Sequence, residues 1–393
     1  MRKLVFATLA ILISCASYAE KATVSPYTAV DKKALAMPDS VTGNTMAIAR
    51  YISANFTGDR DKTRAIFVWL ANNIRYDLAN MYAINFYEKR EEKVTKALAT
   101  REGICEAYAA IFQDVCTKLG IKSYVVEGYT RQNGFASYIP HAWNAANVGG
   151  EWLLFDPTWG SGYVSNSKFV RKMNESYFAA KPATLIKSHM PFDYLWQFLQ
   201  YPISNQEFYD GKTAENKSKP LFSFADSLKV YEALSETDQL SAAAERIERN
   251  GLKNAMVFDR LHHIKAQLEH DRQSGTVNAY NGAIADYNEG LGYYNEFIEY
   301  RNKQFTPSRS DAEIQAMLDA ATNSFSSARK KLTGVKQPDQ QTATLVIQFN
   351  KSLEEAESHT QEMQEWLKKY FSKSRFARKS MFYKITWMGM PLI

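Results

Sequence analysis

Two hydrophobic patterns alternate in the first half of the chain, and only one of them continues in the second half. Up to about Asp210, segments with apolar residues three and four positions apart are followed by segments rich in β-branched and aromatic residues. Beyond about Lys219, prolines almost vanish and the helical spacing alone remains. The first pattern is typical of an α+β domain and the second of packed helices. We therefore predict a mixed domain over residues 44–218 and a helical region over residues 219–371.

Four helices are predicted in the mixed domain, over NTMAIARYISANF, DRDKTRAIFVWLANNIRYD, EKREEKVTKALATREG and GICEAYAAIFQDVCTKLG. Asp59 and Asp61 offer N-terminal caps to the second helix. The fourth runs from Gly103 to a fitting stop at Gly120. Its apolar stripe makes it at least half buried and consists of Ile104, Tyr108, Ile111, Phe112, Val115 and Leu119. The segment before these helices, residues 20–43, shows little periodicity and is predicted to be an extended lead-in.

Strands are predicted after the fourth helix, over KSYVVEGYT and then over a hairpin of HAWNAANV and EWLLFDPTW. If Gly149-Gly150 is the two-residue turn, Val148 lies opposite Glu151. Each residue before Val148 then faces the residue equally far beyond Glu151. His141 then faces Thr158, and Trp143 faces Asp156. Because residues two apart on a strand share a face, His141 and Asp156 become diagonal neighbours whose backbones lie about 7–8 Å apart. At that separation their side chains can reach each other and form a hydrogen bond. A register slip of one residue would separate them.

The helical region contains two long apolar seams, with Pro307 and Pro338 marking its turns. They predict an antiparallel bundle or coiled coil in which the seam tyrosines pack rather than bind a ligand. The first seam is Val277, Tyr280, Ile284, Tyr287, Leu291, Tyr294 and Ile298, and the second is Val346, Phe349, Leu353, Ala356, Thr360, Met363, Leu367 and Tyr370. A basic aromatic tail over residues 372–393 follows; it is interpreted as a solvated edge, with contact to an anionic surface as the alternative.

Composition agrees with a globular protein of two domains. The chain has 393 residues, of which 45% are hydrophobic and 13% aromatic. Its net charge of +6 is too small to predict nucleic-acid binding. No cofactor is indicated by any motif, and the oligomeric state is left open.

The N-terminus has the pattern of an export signal. Arg2 and Lys3 precede an apolar run from Leu4 to Ile13, which is too short to span a bilayer. Cleavage after Ser17-Tyr18-Ala19 would remove a signal peptide of residues 1–19, whereas Leu12-Ile13-Ser14-Cys15 resembles a lipobox that would leave Cys15 lipidated. We expect a periplasmic or extracellular protein without a transmembrane span, in which a lipid anchor remains an alternative.

In an exported protein, cysteines usually form disulfides, so a free thiol needs an explanation. Cys105 and Cys116 lie on one predicted helix, about 16 Å apart along its axis, whereas a disulfide needs Cα atoms within about 7 Å. Both are therefore predicted to be free. Cys105 lies in the first helical turn, where the helix dipole favours a thiolate and the Cys105 amide is a candidate oxyanion donor. Cys116 lies among apolar residues and is predicted to be inert packing.

The three segments that carry Cys105, His141 and Asp156 resemble the transglutaminase-like superfamily, which has a papain-related fold. The likeness rests on RAIFVWLANNIRYD, on GICEAYAAIFQDVCTKLGIKSYVVEGY and on HAWNAANVGGEWLLFDPTWG, in that order. It is nearest to exported bacterial members of the kyphoscoliosis peptidase and cytokinesis-protein branch, in which a segment such as His189 to Leu199 follows the core. The resemblance implies that Cys105 is the nucleophile, His141 the general base and acid, and Asp156 the residue that orients the histidine.

The favoured function is thiol acyl transfer, by a peptidase or amidase that acts on a protein or peptide substrate near the cell envelope. A cross-linking transglutaminase is the first alternative, and a non-catalytic binding or assembly module is the second. A zinc site of Cys105, His141 and Asp156 is disfavoured, because no paired metal-binding spacing is present. For His189 we prefer structural packing to a position in the cleft.

Overall fold

The computed structural model describes residues 25–84, 88–132, 134–336 and 338–382. The expected signal peptide, Cys15 and the last residues of the basic tail lie outside these ranges. The chain divides into two compact units. The first comprises residues up to Ala233 together with Glu245–Arg260, and the second comprises Leu234–Ala244 and the residues from Leu261 onward.

Helices of the first unit surround a small sheet. They are α1 (Thr28–Leu35), α2 (Thr45–Asn55), α3 (Asp59–Asn73), α4 (Arg90–Thr100), α5 (Cys105–Lys118), α6 (Pro157–Ser161), α7 (Pro182–Leu185), α8 (Asn205–Tyr209) and α9 (Phe224–Ala233). The four helices predicted in the mixed domain correspond to α2, α3, α4 and α5. Nine residues of α3 are buried, including Trp69 at its centre, so this helix is part of the core rather than a surface layer.

The sheet that positions the site has four antiparallel strands in the order β5-β4-β3-β8. Two short pairs, β1 with β2 and β6 with β7, lie beside it. The strands are β1 (Arg75–Tyr76), β2 (Glu102–Gly103), β3 (Ser123–Gln132), β4 (Phe135–Val148), β5 (Glu151–Phe155), β6 (Gly162–Ser165), β7 (Lys168–Arg171) and β8 (His189–Pro191). Residues of α2, α3 and α5 share one apolar core with the inner residues of β4 and β5.

The predicted hairpin of β4 and β5 is confirmed in its register. Val148 pairs with Glu151 and Asn144 with Phe155, as the two-residue turn requires. Gly149 and Gly150 adopt positive φ angles of 63° and 92°, which explains why glycine occupies both turn positions.

The ladder ends earlier than expected, so Thr158 does not face His141 across a strand. β5 stops at Phe155, and Pro157 begins the short helix α6. Proline has no amide proton for a ladder and favours the first helical position. The Asp156 side chain caps α6 at the same point, which turns the chain away from the sheet.

The lead-in also differs from its expected extended form, since Thr28–Leu35 is helical. The cause lies far away in sequence. Asp31 on α1 pairs with the fully buried Arg64 on α3, which also pairs with Glu175. A buried guanidinium needs such partners, so this ion pair holds α1 against α3.

The second unit is helical, as the seams predict. Its long helices are α11 (Ala255–Asn302), α12 (Asp311–Leu332) and α13 (Gln340–Phe371), preceded by α10 (Glu236–Asn250) and followed by α14 (Arg375–Arg378). The first residues of α11 and the last residues of α10 belong to the first unit. Seam tyrosines pack against apolar residues of α12 and α13, in agreement with their predicted role.

Helix α12 was not identified from the sequence, although Leu318, Phe325 and Leu332 form its buried stripe at helical spacing. It makes the region a bundle of three long helices instead of two. Pro307 and Pro338 lie in the two connections, as predicted. Within the described residues, no helix is both long and apolar enough to cross a membrane.

Candidate active site

Cys105 is the first residue of α5, at the position predicted for it. Its side chain packs with Ala109 and Ala142 and is 4% exposed. Asn144 on β4 donates a hydrogen bond of 2.9 Å to the carbonyl of Ala109, which fixes α5 against the sheet. The Cys105 amide precedes the intrahelical hydrogen bonds and stays a candidate oxyanion donor.

His141 and Asp156 form the hydrogen bond that the hairpin geometry predicts. Nε2 of His141 lies 2.8 Å from Oδ2 of Asp156, and the carboxylate is fully buried. The neighbouring Cys105 also acts on the His141 ring, because it helps to raise the pKa of His141. Because Nε2 faces the carboxylate, Nδ1 is the nitrogen left for the thiol. The three predicted residues are therefore brought together in the order cysteine, histidine, aspartate.

Asp156 is held on both of its oxygen atoms. Oδ1 accepts from the amides of Thr158 and Trp159 at 2.9 and 3.0 Å, in the first turn of α6. Oδ2 is shared by His141 and His189. Burial alone would raise the pKa of this carboxyl, but the two histidines outweigh burial and hold the pKa well below its usual range. Asp156 is thus an oriented anion.

The pKa of His141 shifts in the opposite direction. Burial would lower it, but the attraction and hydrogen bond of Asp156, with a smaller contribution from Cys105, raise it to about 10. An imidazolium facing Cys105 is therefore stabilised, which is the charge state that a thiolate partner requires.

His189 belongs to this cluster, although packing was its preferred interpretation. Its Nε2 lies 3.0 Å from Oδ2 of Asp156, and its Nδ1 lies 2.8 Å from the hydroxyl of Ser188. Strand β8 carries it, and β8 can approach β3 because Gly128 has no side chain; a Cβ there would lie 2.0 Å from the carbonyl oxygen of Met190. The HMPFDYLWQFL segment was visible in the sequence, but its contact with Asp156 was not.

Two tryptophans enclose the histidines. The ring of Trp143 is centred 5.1 Å from that of His189, and the ring of Trp159 is centred 4.7 Å from it. Burial therefore lowers the pKa of His189 despite its bond to Asp156. A neutral His189 donates from Nε2 to the carboxylate and accepts from Ser188 at Nδ1, so its tautomer is fixed.

Cys116 differs from Cys105 as predicted. It is fully buried in the main core, and burial raises its pKa well above the ordinary value. Both described cysteines are free, as the length of a continuous helix requires.

A cleft of about 780 Å³ opens at His141. Tyr76, which also lines it, feels the charge of Cys105: burial first, and then that charge, raise its pKa above the usual range. Cys105 itself does not line the cleft but lies beside these two residues. A molecule bound in the cleft at His141 is therefore close to the thiol.

A group of side chains suited to metal binding is present at the same place. The ligand atoms of His141, Asp156 and His189 lie within 4.8 Å of one another. The zinc set considered from sequence contained Cys105 in place of His189. The hydrogen bonds to Asp156 already use one ring nitrogen of each histidine, so a metal would have to replace them.

The first unit is similar to a known protein family and to several known proteins. Residues 46–157 match the family model of the transglutaminase-like superfamily, so this part of the chain belongs to that superfamily and has its fold. Among individual proteins, the chain is similar to the kyphoscoliosis peptidase of Homo sapiens, with 37% identity over 158 residues, which are 38% of this chain and 23% of the relative. Hillarin of Drosophila melanogaster is 26% identical over 259 residues, 58% of this chain and 30% of that protein.

The aligned parts thus span less than a third of either relative. A solved structure described as a TGase aligns with 41% of this chain and 40% of its own length at 20% identity, with a TM-score of 0.24. A score this low adds nothing to the assignment of the fold.

Proposed function

We propose that the first unit is a thiol acyl-transfer enzyme, most simply a peptidase or amidase, with Cys105 as nucleophile, His141 as general base and acid, and Asp156 as the orienting carboxylate. The observation that carries this proposal is the 2.8 Å hydrogen bond between the buried Asp156 and His141, whose pKa the neighbouring thiol at the start of α5 also raises. The similarity to the kyphoscoliosis peptidases, which are named for peptide hydrolysis, adds support for this reaction.

In the proposed reaction, the proton of Cys105 passes to Nδ1 of His141 and the sulfur attacks the carbonyl carbon of an amide. The amide of Cys105 faces the developing oxyanion. His141 then returns the proton to the leaving amine as the carbon–nitrogen bond breaks, and a thioester remains. Water, deprotonated by His141, attacks the thioester and releases a carboxylic acid and the free thiol.

His189 acts in this proposal as a positioning residue. It does not touch Cys105; it donates to the oxygen of Asp156 that also accepts from His141. Four donors leave the carboxylate one orientation, and that orientation fixes the ring of His141.

The alternative reaction is transfer of the acyl group to an amine, which would make the protein a cross-linking transglutaminase. Superfamily membership is compatible with both outcomes, because they share the thioester and differ only in its acceptor. A non-catalytic binding module on the same fold would show neither reaction.

The proposal is tested with a glutamine-containing peptide and a fluorescent amine, following ammonia release, peptide cleavage and amine incorporation together. Wild type is compared with Cys105→Ala and, as a matched control, with Cys116→Ala, which removes the same atom from the same helix. We expect product from wild type and Cys116→Ala and none from Cys105→Ala.

The pattern of products separates the alternatives. Ammonia or cleavage without incorporation indicates hydrolysis, whereas incorporation indicates cross-linking. Equal turnover by Cys105→Ala and wild type would refute the nucleophile. Absence of all three products, together with no selective alkylation of Cys105, would favour the binding module.

We also propose that the protein is exported, on the strength of the apolar run from Leu4 to Ile13. The measurement is mass spectrometry of the mature N-terminus after expression with the full leader. A start at Glu20 supports release by signal peptidase, and a lipid-modified Cys15 supports anchoring. An intact Met1 in the cytoplasmic fraction would contradict export.

A further inference from the structure

The cleft beside His141 has walls of an unusual composition. Its volume is about 780 Å³, and aromatic rings come from several separate elements of the first unit. They are Tyr76 on β1, Tyr82 after it, Phe135 at the start of β4, Trp159 on α6, Tyr163 on β6, Phe169 on β7 and Tyr177 in the turn before α7. The described residues that line the cleft include no Asp, Glu, Lys or Arg. In the whole chain 23% of residues are Asp, Glu, Lys or Arg, so a wall of this size in which His141 supplies the charge is a specific feature.

The rim of the cleft exposes large apolar side chains to water. Phe135 is 79% exposed, Tyr82 is 75% exposed and Tyr163 is 52% exposed. Such side chains are ordinarily buried, and their collection around one opening is typical of a surface that docks an apolar ligand. Because His141 lines the same cleft, the ligand is presented directly to the proposed catalytic group.

We infer that this cleft selects, as the acyl donor, an uncharged segment of polypeptide with aromatic or aliphatic residues on both sides of the attacked amide. The inference rests on the proposed function and specifies its substrate class. Apart from the imidazolium of His141, which already pairs with Asp156, the described walls carry no charge. A lysine or glutamate beside the attacked amide would therefore lose water in the cleft without a free opposite charge to pair with. An aromatic neighbour would bury its surface against the rings and could stack on them.

Binding, rather than turnover, provides the test, so that it does not depend on the chemistry. Three fluorescently labelled, N-acetylated peptide amides are compared, LFQFL, LEQEL and LKQKL, on the full-length Cys105→Ala protein, by fluorescence anisotropy. We expect the neutral peptide to bind about tenfold or more tightly than either charged peptide. Raising the salt concentration should leave its affinity unchanged, because no ion pair is formed.

Variants of residues at the rim of the cleft distinguish binding in the cleft from nonspecific binding elsewhere on the protein. Phe135→Asp and Tyr163→Asp should each weaken binding of LFQFL severalfold, and they replace exposed side chains, so folding should be retained. Leu221→Asp is the matched control, since Leu221 is 65% exposed and does not line the cleft. Circular dichroism checks that all three variants keep the fold.

Each outcome decides the inference. Tight and salt-insensitive binding of LFQFL that only the rim variants weaken supports it. Equal or tighter binding of LEQEL or LKQKL, no binding of LFQFL, or equal effects of all three variants overturns it. Selective binding by Cys105→Ala combined with a wild type that turns over no bound peptide would reject the proposed reaction and leave the binding preference intact.

Discussion

The two ends of helix α5 carry the same residue type in very different surroundings. Cys105, in the first turn, lies next to a histidine that a buried carboxylate orients. Cys116, three turns later, lies among apolar side chains, and burial raises its pKa. The two environments differ because the sheet brings polar side chains to only one end of the helix. The cysteines themselves are chemically alike.

The largest expected effect on the proposed activity of Cys105 comes from removing the charge of Asp156. We expect Asp156→Asn to lower kcat/KM about 10³- to 10⁴-fold, because the asparagine neither stabilises the imidazolium of His141 nor fixes its tautomer. Asp193→Asn is the control: Asp193 is also a buried carboxylate that caps a turn, but it pairs with Arg246. Thermal melts of both variants show whether a loss of activity is caused by a loss of stability. Activity in Asp156→Asn within a few-fold of wild type would reject the role of the carboxylate.

Alkylation compares the two cysteines directly. With iodoacetamide between pH 5 and 8, we expect folded protein to be labelled at Cys105 about 100-fold faster than at Cys116, because Cys105 faces a stabilised imidazolium and Cys116 is sealed in the core. The sites are mapped by mass spectrometry. In denaturant the two rates should become equal, and in Asp156→Asn the ratio should fall. Equal labelling of both residues in the folded wild type would contradict the assignment.

Variants of His189 test whether a residue that does not touch Cys105 contributes to its activity by positioning Asp156 and His141. We expect His189→Leu to lower kcat about 10- to 100-fold with a smaller change in KM, since Asp156 loses one donor and His141 its fixed orientation. His189→Gln should be milder, because an amide can still donate to the carboxylate. The pH–rate profile gives a second readout, since a change in the pKa of His141 shifts its basic limb. Identical effects of leucine and glutamine, without a shifted profile, would indicate packing alone.

The smallest expected effect is a dependence of stability on pH. Because the folded pKa of His141 is raised from 6.5 to about 10, its charge interaction stabilises the fold fully below about pH 6.5 and is lost as pH rises towards 10. The lowered pKa of Asp156 acts at the other extreme, since its contribution is lost as acid protonates the folded carboxyl. The free energy of unfolding, measured with urea, should fall more between pH 6 and pH 10 for wild type than for His141→Gln. Equal losses would show that the imidazolium is not stabilised.

Local sequence signals predicted much of the site correctly, and the failures are equally instructive. The glycine pair fixed the register of β4 and β5, and alternation then placed His141 and Asp156 on one face. The same arithmetic failed at Thr158, because Pro157 and the cap of Asp156 start a helix there. Pattern reasoning treats a strand as continuing, whereas a single proline ends it.

Contacts between distant segments account for the other differences. Thr28–Leu35 is helical in the structure and had no helical pattern of its own; Asp31 meets Arg64 only after the chain has folded. His189 follows Asp156 by 33 positions and reaches it because Gly128 lets β8 approach the sheet. No spacing rule connects residues on strands that are joined by an irregular segment.

The helix that presents Cys105, the hairpin that carries His141 and Asp156, and the separate helical region are all predictable from the amino-acid pattern, because each depends on a period or a turn a few residues long. Other properties appear only in the folded chain: Asp156 accepts from two histidines, His189 is held neutral between two tryptophans, and the described residues of the cleft wall are aromatic and include no Asp, Glu, Lys or Arg. These properties depend on burial and on distances between remote segments, which only the folded chain defines.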